Sequence, residues 1–438
     1  MAAFRIKHCI AWIAVLLVSL SVLPGAGFFE SPNKEQLKNT LVLGFSWWGD
    51  RIRSEATSHA IKYYEVNHPD IQINAQFCPF SKYHNLLLNQ AETNSLPDIV
   101  SIDFKWMNEV ALLGPSVLDI RTYLSEIDTS DMDWDFIQEY GSRQDGSLVG
   151  IPAGMNGVGL LCNLDFLSRF NIKPSDSWDW EAIISLGEKV HAQDSSVHLL
   201  FFPKTHWLYF FRTVIKQFSG HDIVTANMSI DCTYDDVFHV FSLIQRLIDS
   251  HTIPPFSQGV LYEDLLAHSD PNWLNQLYGL VPVSSSTIME IQQASSFPLG
   301  TIRYPIPSNA VDPGLYVAPT MLYAITTSSK NPLEAAKFIN YLLNDPQAAM
   351  RLKNTRGVLL NTKLSKLLTE TGLSSPLVQQ MVEQALSGKS KNESNYSLGS
   401  EVSNLIWTYI HHVGFGELSV EEASNQFLKD LHLLFSND

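Results

Sequence analysis

Residues 41–48 read LVLGFSWW, an apolar run that ends in two tryptophans, and the pattern that follows it decides the fold. Small and aromatic residues then recur at helical spacing until His68-Pro69 ends the pattern. Residues 71–77, IQINAQF, alternate between apolar and polar side chains as a strand does. A second helix is predicted for residues 83–94 and a third strand for residues 97–102. This order of strands and helices predicts a parallel sheet with right-handed crossovers.

Aromatic side chains follow two of these predicted strands. Trp47 and Trp48 end the first strand, and Asp103, Phe104 and Trp106 follow the third. Because ligands on such sheets bind beyond the carboxyl ends of the strands, both loops belong to a candidate binding site. Side chains alternate along a strand, so Trp47 and Trp48 cannot both point the same way. We expect at least one of them to face the site; the alternative is that both lie in the core.

Length and charge narrow the class of protein. A chain of 438 residues is longer than chains that usually fold around a single hydrophobic core, which predicts two domains. Hydrophobic residues make up 45% and charged residues 17%, a composition typical of a compact folded protein. The net charge of -16 disfavours nucleic acid as a partner, because phosphate binding needs a basic face.

The N-terminus has the pattern of a secretory signal peptide. Arg5 and Lys7 precede an apolar run over residues 9–23, and small residues follow at 25–27. The run is shorter than the roughly 20 residues that a spanning helix needs. We predict a cleavable signal peptide over residues 1–27 and a periplasmic location.

Three cysteines, Cys78, Cys162 and Cys232, follow the signal peptide. An odd number permits one disulfide and one free thiol, and an oxidising compartment allows such a bridge. Three free cysteines are the alternative.

The common signatures of enzymes and metal sites are missing from the sequence. It contains no phosphate-binding loop, no G-x-S-x-G and no H-E-x-x-H. Asp131, Asp133 and Asp135 match the first half of a calcium-binding loop. Phe136 and Ser142, however, stand where that loop requires Gly and Glu. We therefore predict no catalytic residue, no metal and no cofactor. The ten tryptophans suit a ligand with flat apolar faces, such as a sugar ring.

Residues 46–57, SWWGDRIRSEAT, resemble the opening of family 1 extracellular solute-binding proteins of sugar ABC transporters. They are most similar to the branch with S-W-W-G-G-D-x-R-H-x-A-T, which includes oligogalacturonide-binding proteins. Further segments resemble the family's motifs in the same order: residues 64–71, 97–100, 150–163, 329–336 and 356–358. The chain departs from the branch at Asp50, Ser54 and Phe80, and Ser284-Ser285-Ser286 stands where relatives often carry W-D before a Ser.

The resemblance implies an α/β, two-lobe periplasmic binding protein fold, with parallel-rich sheets flanked by helices and a ligand cleft between the lobes. The expected N-terminal lobe is 28–152 and 320–356, and the expected C-terminal lobe is 153–319 and 357–438. The chain would cross between the lobes near residues 152–157, 316–320 and 356–360, where its glycines and prolines suit a hinge.

The resemblance also implies a periplasmic substrate-binding component of an ABC transporter that takes up carbohydrate, with an oligosaccharide such as oligogalacturonide as ligand. Its partners would be the sugar and the inner-membrane permease subunits, and the protein would act as a monomer. The candidate ligand-binding residues are Trp47, Trp48, Arg53, Phe80, Asp103, Trp106, Met155, Asn156 and Trp273. Arg53 either binds a sugar carboxylate or forms an ion pair with Asp50 or Glu55 at the surface.

Two other functions remain open. A secreted glycoside hydrolase would need two carboxylates across a sugar site, and 45 Asp and Glu residues leave room for such a pair. A chemoreceptor ligand module could be built on the same fold.

Overall fold

The computed structural model of the chain describes residues 40–49, 51–106, 116–143, 145–388, 390, 393–394 and 396–435. The predicted signal peptide, its cleavage position and Asp50 lie outside these residues. None of the helices in the described ranges combines the length and the apolar character that crossing a membrane requires.

Strands and helices alternate in the first part of the described chain, and all its elements from Pro332 onward are helices. The strands are β1 (Leu41–Trp48), β2 (Ile71–Cys78), β3 (Ile99–Ile102), β4 (Ile151–Pro152), β5 (Met155–Asn163), β6 (His198–Leu200), β7 (Tyr278–Ser284), β8 (Leu299–Ile302), β9 (Val317–Pro319) and β10 (Leu322–Ile325). The helices are α1 (Arg51–Asn67), α2 (Phe80–Glu92), α3 (Trp134–Gly141), α4 (Leu164–Arg169), α5 (Trp180–Gln193), α6 (Lys204–Ser219), α7 (Tyr234–Asp249), α8 (Phe256–Gly259), α9 (Pro271–Leu274), α10 (Ile288–Ala294), α11 (Pro332–Asn344), α12 (Pro346–Leu352), α13 (Thr362–Glu370), α14 (Pro376–Leu386), α15 (Ser400–Gly414) and α16 (Val420–Phe435).

The first sheet has the order β2-β1-β3-β10-β4. The predicted strand–helix–strand pattern at the start of the chain is confirmed, because β1 pairs in parallel with both β2 and β3. Helix α2 begins at Phe80, three residues before the predicted start, because Pro79 already ends the extended backbone there. We call this sheet and its helices the first lobe.

The second sheet has the order β6-β7-β5-β8, with β9 paired to β5. Helices α5, α6, α7, α15 and α16 share one apolar core with this sheet. We call this sheet and its helices the second lobe. The two-lobe α/β fold expected from the sequence is thus confirmed.

The expectation of parallel-rich sheets is wrong in detail. Of the ladders between the described strands, β1–β2, β1–β3 and β6–β7 are parallel, and the other five are antiparallel. Two of the antiparallel ladders belong to β10, which follows the β9 crossing and enters the first sheet in the opposite direction, and the other three belong to β5. The sequence pattern of a local strand–helix–strand unit carries no information about such a returning strand.

The three predicted crossings lie side by side. Met155 and Val358 exchange backbone hydrogen bonds of 2.8 and 2.9 Å, and Thr320 N donates to Gly154 O at 3.0 Å. The Thr320 hydroxyl also donates to Arg356 O at 2.9 Å. Residues 151–152 and 322–325 belong to the first sheet, and 155–163 and 299–302 to the second. The lobe boundaries themselves stay a prediction.

Asn331-Pro332, Asp345-Pro346 and Ser419-x-x-Glu422 have the sequence pattern of helix starts, and α11, α12 and α16 begin at these places. Asp345 accepts hydrogen bonds from the backbone N–H groups of Gln347 and Ala348. Ser419 and Glu422 form a reciprocal capping pair at the start of α16. Asn331 makes no capping bond through its side chain.

Cys78, Cys162 and Cys232 are all free, which removes the disulfide alternative. Burial raises the pKa of the Cys162 and Cys232 thiols to about 12, so both stay protonated and unreactive at neutral pH.

A substitution at Gly154 would test how closely the three crossings pack against one another. A Cβ on Gly154 would lie 2.1 Å from Arg356 O and 2.8 Å from Val358 O, and backbone atoms cannot move aside cheaply. We expect Gly154→Ala to lower the free energy of unfolding by about 1–3 kcal/mol, measured by urea denaturation. Gly259→Ala is the control, since its Cβ would meet only ordinary contacts from 3.6 Å outward. Equal stability of the two variants would contradict this account of the crossings.

Candidate functional site

A cluster of aromatic rings lies where β1 and β3 end. The Trp48 ring centroid is 5.6 Å from that of Phe80 and 5.4 Å from that of Trp106, and Phe80 stacks on Trp106 at 5.3 Å. Trp48 is 5% exposed, Trp106 is half-buried and Phe80 is 49% exposed. Three of the predicted residues thus come together, and Phe80 presents their common surface to solvent.

Tyr83 holds this cluster to the sheet. Its ring is 5.4 Å from Trp48, and its hydroxyl shares a 2.8 Å hydrogen bond with Ser46 Oγ. The same hydroxyl accepts from Ser101 N at 3.3 Å. Complete burial raises the pKa of Tyr83, so the phenol remains neutral. One side chain of α2 therefore fixes the positions of β1 and β3 relative to each other.

Trp47 occupies the opposite face of β1. It is fully buried against Phe45, at 4.9 Å, and Phe77, at 5.2 Å. The two tryptophans alternate as expected, and both are buried because side chains cover both faces of β1. That at least one of them faces the ligand stays a prediction. The exposed rings are Phe77, 51% exposed and stacked on Trp47, and Phe80, which meets Trp48 edge to face.

Asp103 begins the turn that carries Trp106. Its carboxylate accepts from Lys105 N at 3.0 Å, which orders the turn. Burial raises the pKa of Tyr316, and the nearby charge of Asp103 raises it further. Asp103 therefore lies near residues that come from the second lobe.

Three tyrosines that the sequence analysis did not select as ligand-binding residues meet at this place. The ring of Tyr209, from α6, is 4.7 Å from that of Tyr316. Tyr140, from α3, donates its hydroxyl hydrogen to Val317 O. Nearly 70 residues separate Tyr140 from Tyr209, and more than 100 separate Tyr209 from Tyr316, so no local pattern marks them. They form a polar aromatic contact between the first lobe and the β9 crossing.

Met155 and Asn156 lie at the first crossing, as predicted. Met155 is buried, whereas Asn156 is half-buried and accepts a long 3.4 Å hydrogen bond from Ser285 Oγ. Gly157 N also donates to Ser285 Oγ, at 3.2 Å. The serines at 284–286, noted as a departure from the branch, thus supply a hydroxyl at the junction of β5 and β7.

Arg53 is half-buried and bonds to backbone atoms. Its Nε donates to Thr355 O at 2.8 Å, and its Nη1 donates to Trp48 O at 3.3 Å. Arg51, not Arg53, pairs with Glu55. Arg53 therefore links the end of β1 to the third crossing, beside the aromatic cluster.

No contact of the described residues joins Trp273 to the other candidate ligand-binding residues. It is fully buried in the second lobe, 5.4 Å from Phe297, and its Nε1 donates to Ser295 Oγ at 3.2 Å. These contacts give Trp273 a packing role, and we leave it out of the site.

Within the described residues, no group of three or more His, Cys, Asp or Glu side chains is arranged to hold a metal ion. The site consists of aromatic rings with amide, hydroxyl, carboxylate and guanidinium groups around them. Such a set binds a polar molecule that also has apolar faces.

Comparison with known families decides the class of protein. The model of the bacterial extracellular solute-binding proteins matches residues 59–371, well over half of the chain. This chain belongs to that family. The family resemblance inferred from its motifs is confirmed.

Solved structures of solute-binding proteins share the fold. A periplasmic solute-binding protein of Pectobacterium atrosepticum is 24% identical and has a TM-score of 0.80, with 91% of this chain and 99% of that one covered. An oligogalacturonide-binding protein of Yersinia enterocolitica, solved with saturated digalacturonic acid, is 20% identical at a TM-score of 0.77, covering 90% and 99%. A cyclic alpha-maltosyl-1,6-maltose binding protein of Arthrobacter globiformis is 18% identical at 0.72, covering 91% and 100%.

In this solute-binding protein, Phe80 offers the clearest test of the aromatic cluster. We expect Phe80→Ala to weaken solute binding by about 1–3 kcal/mol, because the ring contributes contact area without being needed for the core. Phe218→Ala, which removes a 44% exposed ring stacked on His239 in the second lobe, should bind as the parent does. Titration calorimetry measures both. Normal binding by Phe80→Ala would place the solute elsewhere.

Proposed function

We propose that this solute-binding protein is the periplasmic component of an ABC transporter and binds an oligosaccharide between its lobes. The observation that carries the proposal is the aromatic cluster of Trp48, Phe80 and Trp106 at the lobe edge. Its exposed ring suits the flat C–H face of a sugar. Asp103 lies beside the cluster in sequence and Asn156 lies at the first crossing, and both suit sugar hydroxyls.

The fold supports the same proposal. Proteins named for binding oligogalacturonide and cyclic alpha-maltosyl-1,6-maltose share it with this chain. We place the N-terminal lobe at 28–152 and 320–356 and the C-terminal lobe at 153–319 and 357–438. Closure about the three crossings would present the loaded protein to the permease subunits, and the protein would act as a monomer.

Binding rather than catalysis fits the chemistry of the site. A glycoside hydrolase needs two carboxylates that flank the bond to be cut. We assign one acid, Asp103, to the neighbourhood of the aromatic cluster. A chemoreceptor module would use the same closure, and adjacent genes for two permease subunits would favour transport over it.

Saccharide binding without turnover is the test of the proposal. Neutral and acidic oligosaccharides should be screened by thermal shift against the protein without residues 1–27. A ligand at 100 times its Kd stabilises the folded state by about 2.7 kcal/mol. Chromatography of the incubated sugar should show it unchanged. Progressive cleavage would support the hydrolase instead, and no response to any saccharide would contradict the proposal.

A substitution of Arg53 would test whether the bound sugar carries a carboxylate. A guanidinium binds a carboxylate through two parallel hydrogen bonds, which a lysine cannot imitate. We expect Arg53→Lys to weaken an acidic oligosaccharide about tenfold or more and a neutral one of equal length much less. Arg51→Lys, at an exposed ion pair, is the control. If Arg53→Lys binds the acidic sugar as tightly as the parent, Arg53 only connects Trp48 to Thr355.

A further inference from the structure

A cavity of about 730 Å³ lies in the first lobe where β1 and β2 begin. Leu41, the first residue of β1, and Ile71, the first residue of β2, both line it. The aromatic cluster of Trp48, Phe80 and Trp106 lies at the other end of the eight-residue strand β1. Because a strand rises about 3.3 Å per residue, roughly 20 Å separate the two places. The cavity is therefore distinct from the candidate saccharide site.

One face of α11 forms a wall of this cavity. Glu334, Lys337, Asn340, Tyr341 and Asn344 all line it, and they recur at helical spacing. Asn344 Nδ2 donates to Asn340 Oδ1 at 2.6 Å, which orders the two amides. The helix thus presents a carboxylate, an ammonium group and two amides to the same opening.

Tyr64, from α1, supplies a buried phenol to the lining. The residue is 3% exposed, and its ring stacks on His68 at 4.0 Å and lies 4.8 Å from the Tyr341 ring. The Tyr341 hydroxyl donates to Ala60 O at 2.8 Å. In contrast, no hydrogen bond between described residues involves the Tyr64 hydroxyl. A buried phenol in this state has both its O–H and its lone pairs available to a ligand.

The surroundings of the Tyr64 hydroxyl are negative. Burial and the charges of Glu334 and Asp70 raise the pKa of Tyr64 to about 12, so two carboxylates act at this hydroxyl from different walls. Asp345 adds a third carboxylate to the lining, and Lys337, which pairs with Glu334 at 2.8 Å, adds one ammonium group. Three acids against one lysine leave the lining two charges negative while its imidazole is neutral.

An organic cation suits this arrangement better than a metal ion. Within the part of the chain that the structure describes, no three acidic, histidine or cysteine side chains are placed to hold a metal. A metal such as calcium needs all its ligands within about 2.6 Å of one point. An ammonium group carries three N–H donors that point apart, so it reaches acceptors on separate walls, and aromatic rings attract it as well.

We propose that this cavity binds the primary ammonium group of a small organic amine. The ammonium group donates hydrogen bonds to the Tyr64 hydroxyl and to the carboxylates of Asp70 and Glu334, and the carbon chain lies beside Leu41 and Ile71. The occupant is a small molecule, because the volume of the cavity falls in the range of small-molecule sites. The site shares no residue with the aromatic cluster and does not rest on the proposed function.

Tyr64→Phe is the decisive variant. It keeps the ring that packs on His68 and Tyr341 and removes only the hydroxyl. We expect amine binding to weaken about tenfold, the effect of losing one hydrogen bond to a charged group. The urea midpoint of the variant should match that of the parent, because the hydroxyl has no partner among the described residues.

Asp70→Asn tests the charge of the lining. Asp70 is exposed, so the loss of its carboxylate should weaken amine binding less, by about threefold. Glu92→Gln is the matched control, because Glu92 is an exposed acid of the first lobe at the end of α2 and lies outside the lining.

Titration calorimetry of the saccharide-free protein with butylamine, at neutral pH and low ionic strength, measures the binding. Butanol is the uncharged probe of the same shape. Saturable binding of butylamine to the parent and to Glu92→Gln, weaker binding to Tyr64→Phe and Asp70→Asn, and no binding of butanol would support the site.

Three results would overturn it: no binding of butylamine to the parent, parent-like binding by Tyr64→Phe, or butanol binding as tightly as butylamine. A protein that binds a saccharide but no amine would lose this site and keep the proposed function. A protein that binds the amine but no saccharide would do the reverse.

Discussion

The arrangement of the molecule depends on the hydrogen bonds that tie its three chain crossings together. Met155 bonds to Val358 through both of its backbone groups, and Thr320 bonds to Gly154 and Arg356. Backbone bonds of this kind leave little space for side chains, and Gly154 has none. One apolar cluster contains the core of the first lobe together with Leu161, Val281 and Val283 of the second sheet, so buried side chains as well as this junction hold the lobes against each other.

The candidate site lies beside that junction because β1 ends there. Trp48 and Trp47 leave β1 on opposite faces, and each is covered by a more exposed phenylalanine, Phe80 or Phe77. Tyr83 holds the Trp48 side in place through Ser46 and Ser101. Arg53 then joins the end of β1 to Thr355 on the third crossing. The rings of this cluster are therefore supported by buried neighbours and by the third crossing.

The buried charge of Arg356 is an unusual feature of this junction. Buried guanidinium groups in proteins are generally paired, as Arg212 is with backbone and hydroxyl oxygens in the second lobe. Arg356 donates to Thr57 Oγ1 at 2.6 Å and interacts through its guanidinium with the Tyr323 hydroxyl. Burial lowers the pKa of Arg356, and no carboxylate of the described residues offsets this effect. The side chain thereby joins the third crossing to α1 and β10.

Sequence patterns were most reliable where the cause is local. The alternation in 71–77, the capping acids at Asp345 and Ser419-Glu422, and the helical spacing before His68 all depend on neighbours within a few residues. The order of motifs was sufficient to recognise the family and the two-lobe fold. Trp48 and Trp106 were chosen because strand ends meet at one edge of a sheet, whereas Phe80 was chosen through the family resemblance.

What only the tertiary structure decided involves segments far apart in the chain. Burial of both tryptophans of β1 depends on side chains that cover both faces of the sheet, and the interior position of Trp273 depends on Phe297 and Ser295. The meeting of Tyr140, Tyr209 and Tyr316 and the unpaired charge of Arg356 likewise arise from long-range packing. The sequence by itself determined the elements and the family, because hydrophobic period and capping act within a few residues. The burial of side chains and their hydrogen-bond partners were decided by tertiary packing, because the residues that meet are far apart in the sequence.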